Sequence, residues 1–516
     1  MSKSSKAFRY ESIEGKLFLG RLFSTIRLFF LSLFSLITLI ALQGCSIQDM
    51  GKALLVFLAL MLAGGESPPP FTLQTVASLS ASSFSGRADV PLVFDTSPTF
   101  FDRSKFLTPV DSKAEPNQAF RFVIKWDFGD GTTGQGAPFT HVYAAPGTYK
   151  VTVTVCDLQG NELRSAMFII VIGPALNAIV ANSTGDSVTL INLDTLVTTE
   201  IAVGNNPIAA RIAPNGITAL AANFNGGGNS TTSVIDLITK TKVIDLITGQ
   251  GAIGIDFTSD SKTAYVSSQV DDVVTVLDLT NNTVVTSIPL GGFGGASVVL
   301  APDEKRAYAT GGTLPNAISV IDTTTNTKVT EIVTTFNNPS FPVFTPDGSL
   351  ALSGTQGSRL VAINTTTLTT TDIFTASSSI APVVTPDSKK AFVSNRTAAV
   401  DFISVVDLVN LTKITDVQVG NQPGNTAITP DGKKVLALSE ADDTVAFIDT
   451  TSNQQIGSRL TVGGFPRGIR ITPDGKRAVV VNFDDETLSI IDIANQLLIT
   501  DIPVGNGPLF VGVTPK

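Results

Sequence analysis

Histidine, cysteine and tryptophan are almost absent from this chain of 516 residues, which contains one His, two Cys and one Trp. So few His and Cys residues argue against a zinc site rich in His or Cys, a thiolate-held cluster and a Ser-His-Asp triad in the main body, and they exclude a disulfide framework. Charged residues are also scarce, at 15% against roughly 25% in an average soluble protein. The net charge is −9, whereas nucleic-acid-binding proteins usually carry a basic surface. We therefore expect no nucleic-acid partner.

The abundant residues are those of strands and turns. Glycine occurs 43 times, together with many Val, Ile, Thr and Asn residues. β-branched residues favour strands, whereas Gly and Asn favour turns. At about 100–200 residues per domain, the length allows two to four domains.

The N-terminus has the layout of an export signal. Six basic and two acidic residues precede an apolar run at 28–42, which at 15 residues is shorter than the roughly 20 that span a bilayer. The run ends in Leu42-Gln43-Gly44-Cys45, which resembles a bacterial lipobox, although Gln43 departs from the usual small or apolar residue. The resemblance implies a signal peptide at 1–44 and lipidation of Cys45, which would tether the protein to a membrane.

A second start is an open alternative. Met50 precedes another apolar run at 53–63, and Ala63 and Gly65 supply the small residues of a cleavage site. Both interpretations export the protein, but only the first anchors it. On the first interpretation, residues 45–73 form a tether, and Pro68-Pro69-Pro70 is a stiff spacer within it.

A specific motif lies within residues 74–173. It comprises Trp126, Asp127, Phe128, Gly129, Asp130 and Gly131, then His141 and Tyr143, then Gly147 and Tyr149. The motif resembles the signature of the PKD domain, an Ig-like β-sandwich. In that setting we expect His141 to be a packing residue, Asp127 and Asp130 to form turns, and Cys156 to be a buried free thiol.

Residues 177–516 contain eight internal repeats. A Thr-Pro-Asp-Gly-Lys segment or its variant recurs every 40 to 45 residues, at Pro214, Ser259, Pro302, Pro346, Pro386, Pro430, Pro473 and Pro515. A Ser-Val-Ile-Asp segment or its variant ends at Asp194, Asp236, Asp278, Asp322, Asn364, Asp407, Asp449 and Asp492. Each unit holds four strand-like runs, and four short antiparallel strands per unit make one propeller blade.

The repeat resembles the YVTN family of β-propellers, most of which are said to have seven blades, whereas the count here favours eight. We therefore predict an all-β protein: an Ig-like sandwich followed by an eight-bladed up-and-down propeller, with seven blades as the alternative. The repeat region opens with a strand of the kind that is second in each repeat. It ends at 509–514 with a strand of the kind that is first, which is the innermost strand of a blade. We predict that this C-terminal strand completes the first blade and closes the ring.

Charged turns suggest a candidate surface. In an up-and-down blade, the turns between the second and third strands lie on the same face as the links between blades. We predict an acidic binding face there, formed by Asp186, Asp271, Asp272, Asp401, Asp442, Asp443, Asp484 and Asp485. Facing carboxylates would attract a cation or a basic partner. The Pro-Asp-Gly-Lys turns would make the opposite face basic. Charged turns are also common as simple solvated turns.

These features favour a non-enzymatic cell-envelope protein, either a lipoprotein of the outer membrane or cell surface, or a periplasmic or secreted protein. The propeller would bind a protein or an extracellular ligand, with the sandwich as a spacer. We expect a monomer, no cofactor and no metal. The alternative is a lactonase- or lyase-like enzyme, which similar propellers suggest. Residues 177–516 contain no His, so acid-base chemistry would depend on Asp, Glu, Lys or Tyr.

Overall fold

The computed structural model describes residues 85–89, 91–94, 123–136, 139–224, 230–312, 316–335, 339–355, 357–375, 379–396 and 402–515. These residues form 40 β-strands, and no helix long and apolar enough to span a bilayer occurs among them. The two apolar runs, Cys45 and the tether lie outside the described residues, as does Asp401.

The N-terminal domain is a sandwich of two sheets. Its strands are β1 (Ser85–Arg87), β2 (Pro91–Phe94), β3 (Val123–Asp127), β4 (Thr133–Gln135), β5 (Phe139–Val142), β6 (Gly147–Cys156) and β7 (Glu162–Gly173). The larger sheet has the order β1-β7-β6-β3-β4, and β2 pairs with β5 in the smaller one. Strand β1 runs parallel to β7, whereas the other pairs are antiparallel.

Alternation along the strands builds the sandwich core. In β3 the side chains of Ile124 and Trp126 are buried, whereas Lys125 and Asp127 are exposed, because successive side chains point to opposite faces of a sheet. Trp126, Phe128, Tyr143 and Ile170 belong to this core. Cys156 is buried at the end of β6 and is a free thiol.

The repeats form eight sheets, one for each blade. Blade 1 contains β8 (Asn177–Asn182), β9 (Ser187–Asn192) and β10 (Thr198–Ala202). Blade 2 contains β11 (Pro207–Ile212), β12 (Thr218–Asn223), β13 (Thr231–Asp236) and β14 (Thr241–Ile247). Blade 3 contains β15 (Ala252–Phe257), β16 (Thr263–Ser268), β17 (Val273–Asp278) and β18 (Thr283–Pro289). Blade 4 contains β19 (Phe293–Leu300), β20 (Arg306–Gly312), β21 (Ala317–Asp322) and β22 (Thr327–Val333).

The second half of the ring repeats this arrangement. Blade 5 contains β23 (Val343–Phe344), β24 (Leu350–Gly354), β25 (Arg359–Asn364) and β26 (Thr370–Phe374). Blade 6 contains β27 (Ser379–Val384), β28 (Lys390–Asn395), β29 (Phe402–Asp407) and β30 (Thr412–Gln418). Blade 7 contains β31 (Pro423–Ile428), β32 (Lys434–Ser439), β33 (Thr444–Asp449), β34 (Gln454–Gln455) and β35 (Leu460–Thr461). Blade 8 contains β36 (Pro466–Ile471), β37 (Arg477–Asn482), β38 (Thr487–Asp492) and β39 (Leu497–Pro503), and the chain ends in β40 (Pro508–Val513).

The C-terminal strand completes the first blade. Strand β40 pairs antiparallel with β8, with Val511 opposite Val180, so blade 1 has the order β10-β9-β8-β40. Counting β40 in blade 1 gives four strands or more to each of eight blades. The prediction of an all-β sandwich and an eight-bladed propeller closed by its C-terminal strand is confirmed, and the seven-bladed alternative is wrong.

Apolar side chains join each blade to the next. The two central strands of a blade have runs of four or more consecutive buried residues, as in β12 and β37, because both faces of each blade pack against neighbours. Eight apolar clusters result, seven of which link successive blades. The eighth contains Val180 of blade 1 and Leu488 of blade 8, so the ring is closed by packing as well as by strand pairing.

Turn chemistry explains the repeated Thr-Pro-Asp-Gly segment. In blade 7 the Thr429 hydroxyl donates to Asp431 over 2.6 Å, and the same Asp431 oxygen accepts from the backbone N–H of Lys433. Gly432 follows with a φ of 71°, a conformation that glycine adopts without strain. The segment is therefore a self-contained turn between the first and second strands of a blade.

Candidate functional site

The propeller has two faces, which we define by their connections. The link face holds the segments that join successive blades and the turns between second and third strands. The hairpin face holds the remaining turns, including the Thr-Pro-Asp-Gly segments. The innermost strands β11, β15, β19, β23, β27, β31, β36 and β40 line the central channel between these faces.

Most of the acidic residues expected on the link face accept hydrogen bonds from the links. Asp271, Asp442 and Asp485 accept from the backbone N–H groups of Gln250, Asn421 and Gly464, in the link that precedes their own blade. Three others accept hydrogen bonds from the link that follows their blade: Asp186 from the backbone N–H of Asn206, Asp272 from that of Gly292, and Asp443 from that of Phe465. These six carboxylates therefore cap backbone turns.

The other two differ. Asp484 forms no side-chain hydrogen bond among the described residues, and Asp401 lies outside them. Asp442 has further partners: it also accepts a hydrogen bond from the side-chain amide of Asn421, and it lies 2.9 Å from Nη1 of Arg459. The backbone and side-chain hydrogen bonds from Asn421 lower the pKa of Asp442, although partial burial opposes the shift. The structure spreads these residues over the turns of several blades, and binding at this face stays a prediction.

The repeated aspartate of the Ser-Val-Ile-Asp segment forms the turn to the outer strand. Asp407, for example, accepts from the backbone N–H groups of Val409 and Asn410. In blade 1 the equivalent residue is Asn192, which accepts from Asp194 and Thr195 in the same way. The assignment of Asp194 to this repeat position is therefore wrong, because the blade-1 strand ends two residues earlier.

Asp194 instead joins the sandwich to the propeller. Its two carboxylate oxygens lie 2.9 Å from Arg87 of the sandwich and 2.7 Å from Arg477 of blade 8. A second ion pair joins Asp89 of the sandwich to Lys240 of blade 2 over 2.9 Å. The sandwich is thus held on the hairpin face by two ion-paired contacts.

The sandwich motif is a packed unit around an aspartate turn. Asp127 accepts from the backbone N–H of Gly129, and Asp130 accepts from that of Thr132. The other oxygen of Asp130 lies 2.8 Å from Nε2 of His141, whose ring stacks on Phe128 at 4.0 Å between centroids. Burial raises the pKa of Asp130, but the hydrogen bonds from Thr132 and His141 outweigh it and lower the pKa overall.

The rest of the motif satisfies buried polar groups. Trp126 donates from Nε1 to the carbonyl of Gly136, Tyr143 donates to that of Phe128, and Tyr149 donates to that of Ala145. Glycine is required at Gly129, where φ is 76° and a Cβ would lie 2.5 Å from the carbonyl oxygen of Lys150. Gly131 also has positive φ, whereas Gly147 begins β6.

No group of three metal-ligating residues occurs among the described residues of the sandwich or the propeller.

Sequence reasoning missed the charged residues of the channel. The innermost strands carry four: Arg211 on β11, Asp256 on β15, and Arg467 and Arg470 on β36. Arg211 and Arg470 occupy the same position of the repeat, two residues before Ala213 and Thr472. Aligning the first strands of the eight repeats would have shown them.

A second charged group lies where the channel opens on the link face. Glu440 is buried, and it lies 2.7 Å from Arg396 and 3.7 Å from Arg467. Burial raises the pKa of Glu440, although both arginines act in the opposite direction. The Arg467 guanidinium also stacks over Phe465 at 4.2 Å from the ring centroid.

Comparison with known proteins identifies the sandwich. Residues 110–171 match the family model of the PKD domain. A curated relative is collagenase ColA of Bacillus cereus, which is 43% identical to this chain over 53 residues. That match covers 10% of this chain and about 5% of the collagenase, so the chain spans only a small part of the relative's length.

The propeller resembles solved structures. Dihydro-heme d1 dehydrogenase NirN, solved in complex with DHE, aligns with a TM-score of 0.56 and 15% identity over 65% of this chain and 74% of its own. Kuenenia stuttgartiensis hydrazine synthase aligns with a TM-score of 0.43 and 20% identity over 64% of this chain and 92% of its own. At this identity, the NirN match concerns the fold alone. The protein therefore combines a PKD domain with a β-propeller.

Proposed function

We propose that this chain is an exported, non-enzymatic protein of the cell envelope, in which a YVTN-type propeller binds a partner or ligand and the PKD domain acts as a spacer. The observation that carries the proposal is the PKD domain at 110–171, preceded in sequence by a segment with the layout of an export signal, which the lipobox-like residues before Cys45 would end. The collagenase relative supports an extracellular or surface location. The ion pairs of Asp194 support a spacer that presents the propeller in a set orientation.

The mass of the mature protein tests this proposal. The full chain is expressed in a bacterium, and the membrane and soluble fractions are analysed by intact-mass spectrometry. We expect a membrane-bound species that begins at Cys45 and carries acyl mass, and we expect Cys45→Ser to release it. Protease added to intact cells then distinguishes a surface location from a periplasmic one.

Two other outcomes are informative. A soluble exported species that begins near Glu66 would move the start to Met50 and support a secreted or periplasmic protein without a tether. An uncleaved chain confined to the cytoplasm would contradict export and with it the whole proposal.

Glu440 favours a second candidate, a lactonase- or lyase-like enzyme. A buried carboxyl group with a raised pKa, at the mouth of a channel and beside two arginines, has the properties of a general acid or base. A screen of the purified chain against lactones and acidic polysaccharides tests this candidate. Turnover that Glu440→Gln abolishes, and that Asp484→Asn does not change, would establish an enzyme.

A further inference from the structure

The channel is positively charged inside an acidic protein. The chain as a whole has a net charge of −9. The charged side chains of its innermost strands are nevertheless three arginines and one aspartate. With Arg396 and Glu440 at the mouth, the group contains four cations and two anions, an excess of two positive charges.

The acidic groups of the channel already form ion pairs and hydrogen bonds with other residues. One oxygen of Asp256 lies 3.0 Å from Nη1 of Arg211, and the other accepts a hydrogen bond from the backbone N–H of Leu300 over 2.8 Å. Glu440 is held between two arginines at the mouth. Neither carboxylate is placed to neutralise the remaining cation, Arg470.

Arg470 lacks a carboxylate at ion-pair distance among the described residues. Its one hydrogen bond runs from Nη1 to the carbonyl of the adjacent Ile469, and its guanidinium lies 5.2 Å from the ring centroid of Phe510. Burial in the channel, reinforced by the charge of Arg211, lowers the pKa of Arg470 to about 10. The side chain therefore remains charged at neutral pH in a site that disfavours its charge.

Gly512 allows the backbone between the strands of Arg211 and Arg470 to pack closely. The blade between theirs is blade 1, whose residue at the same repeat position is Gly512. A Cβ on Gly512 would lie 2.8 Å from the carbonyl oxygen of Ala210 and 3.1 Å from Cα of Arg211. In blade 3 the equivalent residue is Asp256, which is paired with Arg211. In blades 4 to 7 the equivalent residues are uncharged: Val299, Val343, Val383 and Ala427.

We propose that Arg211 and Arg470 form an anion-binding site in the propeller channel, for a small ligand that carries a carboxylate or phosphate group. The planar guanidinium donates paired hydrogen bonds that match both oxyanions, so two arginines that flank a glycine provide donors on two sides of one group. At the mouth on the link face, Arg396 and Arg467 together exceed Glu440 by one positive charge. Nε of Arg467 is buried there without an acceptor among the described residues. This inference rests on the proposed binding role of the propeller, but not on export or on the tether.

Isothermal titration calorimetry on the purified full chain tests the site. The probes are inorganic phosphate and citrate, each titrated at low ionic strength, and their relative affinity distinguishes the two oxyanions. We expect saturable binding of at least one probe, with an affinity at least tenfold weaker in Arg470→Gln and in Arg211→Gln. We also expect the affinity to fall as salt is added, since salt screens charges.

The control is Lys433→Gln, which makes the same change in charge at an exposed turn, where the Lys433 side chain is 77% exposed. It should bind within twofold of the unchanged protein. Because Arg470 lacks an ion pair, Arg470→Gln should fold with an unchanged or higher melting temperature, so its loss of binding would not be due to unfolding. No binding of either probe up to about 10 mM, a concentration tenfold above a Kd of about 1 mM, or equal binding by Arg470→Gln, would overturn the proposal. Export would be unaffected by either result.

Discussion

The backbone N–H of Asn177 donates a hydrogen bond of 2.9 Å to Oγ1 of Thr514, which lies 337 residues later in the chain. The Thr514 hydroxyl in turn donates a hydrogen bond to the carbonyl oxygen of Ala175. The backbone N–H of Thr514 donates to the carbonyl oxygen of Asn177. Both side chains are buried. The start and the end of the propeller are therefore joined by a hydrogen-bond network just beyond the β8–β40 ladder.

We predict that Thr514→Val lowers the free energy of unfolding by about 1–3 kcal/mol, the cost of leaving buried polar groups unpaired. Thr514→Ser keeps the hydroxyl and should lose less than Thr514→Val. Urea denaturation of the full chain measures both. Equal stability of the two variants would show that the hydroxyl does not contribute to closure.

Removal of residues 507–516 should destabilise the whole ring. Blade 1 would lose its innermost strand, and the cluster that contains Val511 would open between blades 8 and 1. We expect a loss on the order of 5 kcal/mol or more, from exposed apolar surface and lost hydrogen bonds. Thermal unfolding measures it, and a synthetic peptide of residues 507–516 should restore part of the stability. A truncated chain as stable as the full one would contradict closure by β40.

The aspartates of the link face allow a matched comparison. Asp443→Ala removes the acceptor for the backbone N–H of Phe465, so we expect a loss of about 1 kcal/mol. Asp484→Ala removes the same charge from a neighbouring blade, but it removes no hydrogen bond, and we expect a change within about 0.5 kcal/mol. Chemical denaturation of the two variants measures both stability changes. Similar losses would mean that charge, and not capping, explains these residues.

Stability should fall in acid because of the Thr-Pro-Asp turns. Hydrogen bonds from a threonine hydroxyl two residues earlier, and then from backbone N–H groups, lower the pKa of Asp347, Asp387 and Asp431. A carboxylate with a lowered pKa takes up protons less readily in the folded protein than in the unfolded chain. Its contribution is therefore present at neutral pH and is lost as the pH falls through the folded-state pKa.

Urea denaturation between pH 7 and pH 2.5 tests this dependence. We expect a plateau at neutral pH and a decline that begins near the ordinary aspartate pKa of about 4 and continues below it. Asp431→Asn should weaken the decline, whereas Asp484→Asn, which lacks the turn hydrogen bonds, should weaken it less. A stability that does not change down to pH 2.5 would contradict the prediction.

The ion pair between Arg87 and Asp194 should couple the PKD domain to the propeller weakly. Both side chains are partly exposed, and exposed pairs contribute about 0.2–1 kcal/mol. A double-mutant cycle of Arg87→Ala and Asp194→Ala, measured by urea denaturation, should give a coupling energy in that range that decreases with added salt. A coupling of zero at low salt would show that the contact does not form in solution.

Repetition made the propeller predictable. The Thr-Pro-Asp-Gly turn closes on itself within a few residues, so its seven copies and the Thr514-Pro515 segment after the last strand count eight blades without any tertiary information. The phase of the repeats, which open at a second strand and end with a first one, also predicted the pairing of β40 with β8. The same reasoning failed for Asp194, because the blade-1 strand ends at Asn192, two residues earlier.

The candidate sites were less predictable, because they depend on which blades are neighbours. The sequence shows Asp271 and Asp443 as charged turns, but only the fold places the N–H groups of the links against their oxygens. It shows Arg211 and Arg470 as residues 259 positions apart. Ring closure places Arg211 beside Gly512 and Arg470 over the ring of Phe510, on the same C-terminal strand.

The sequence alone therefore determined the class of each domain, the number of blades and the closing strand, since these follow from local turns and from strand periodicity. The tertiary structure alone decided which carboxylates are engaged by backbone and which cations remain without a carboxylate. Charge balance is a property of spatial neighbours, and in a closed ring the neighbours of a residue include those from the opposite end of the chain.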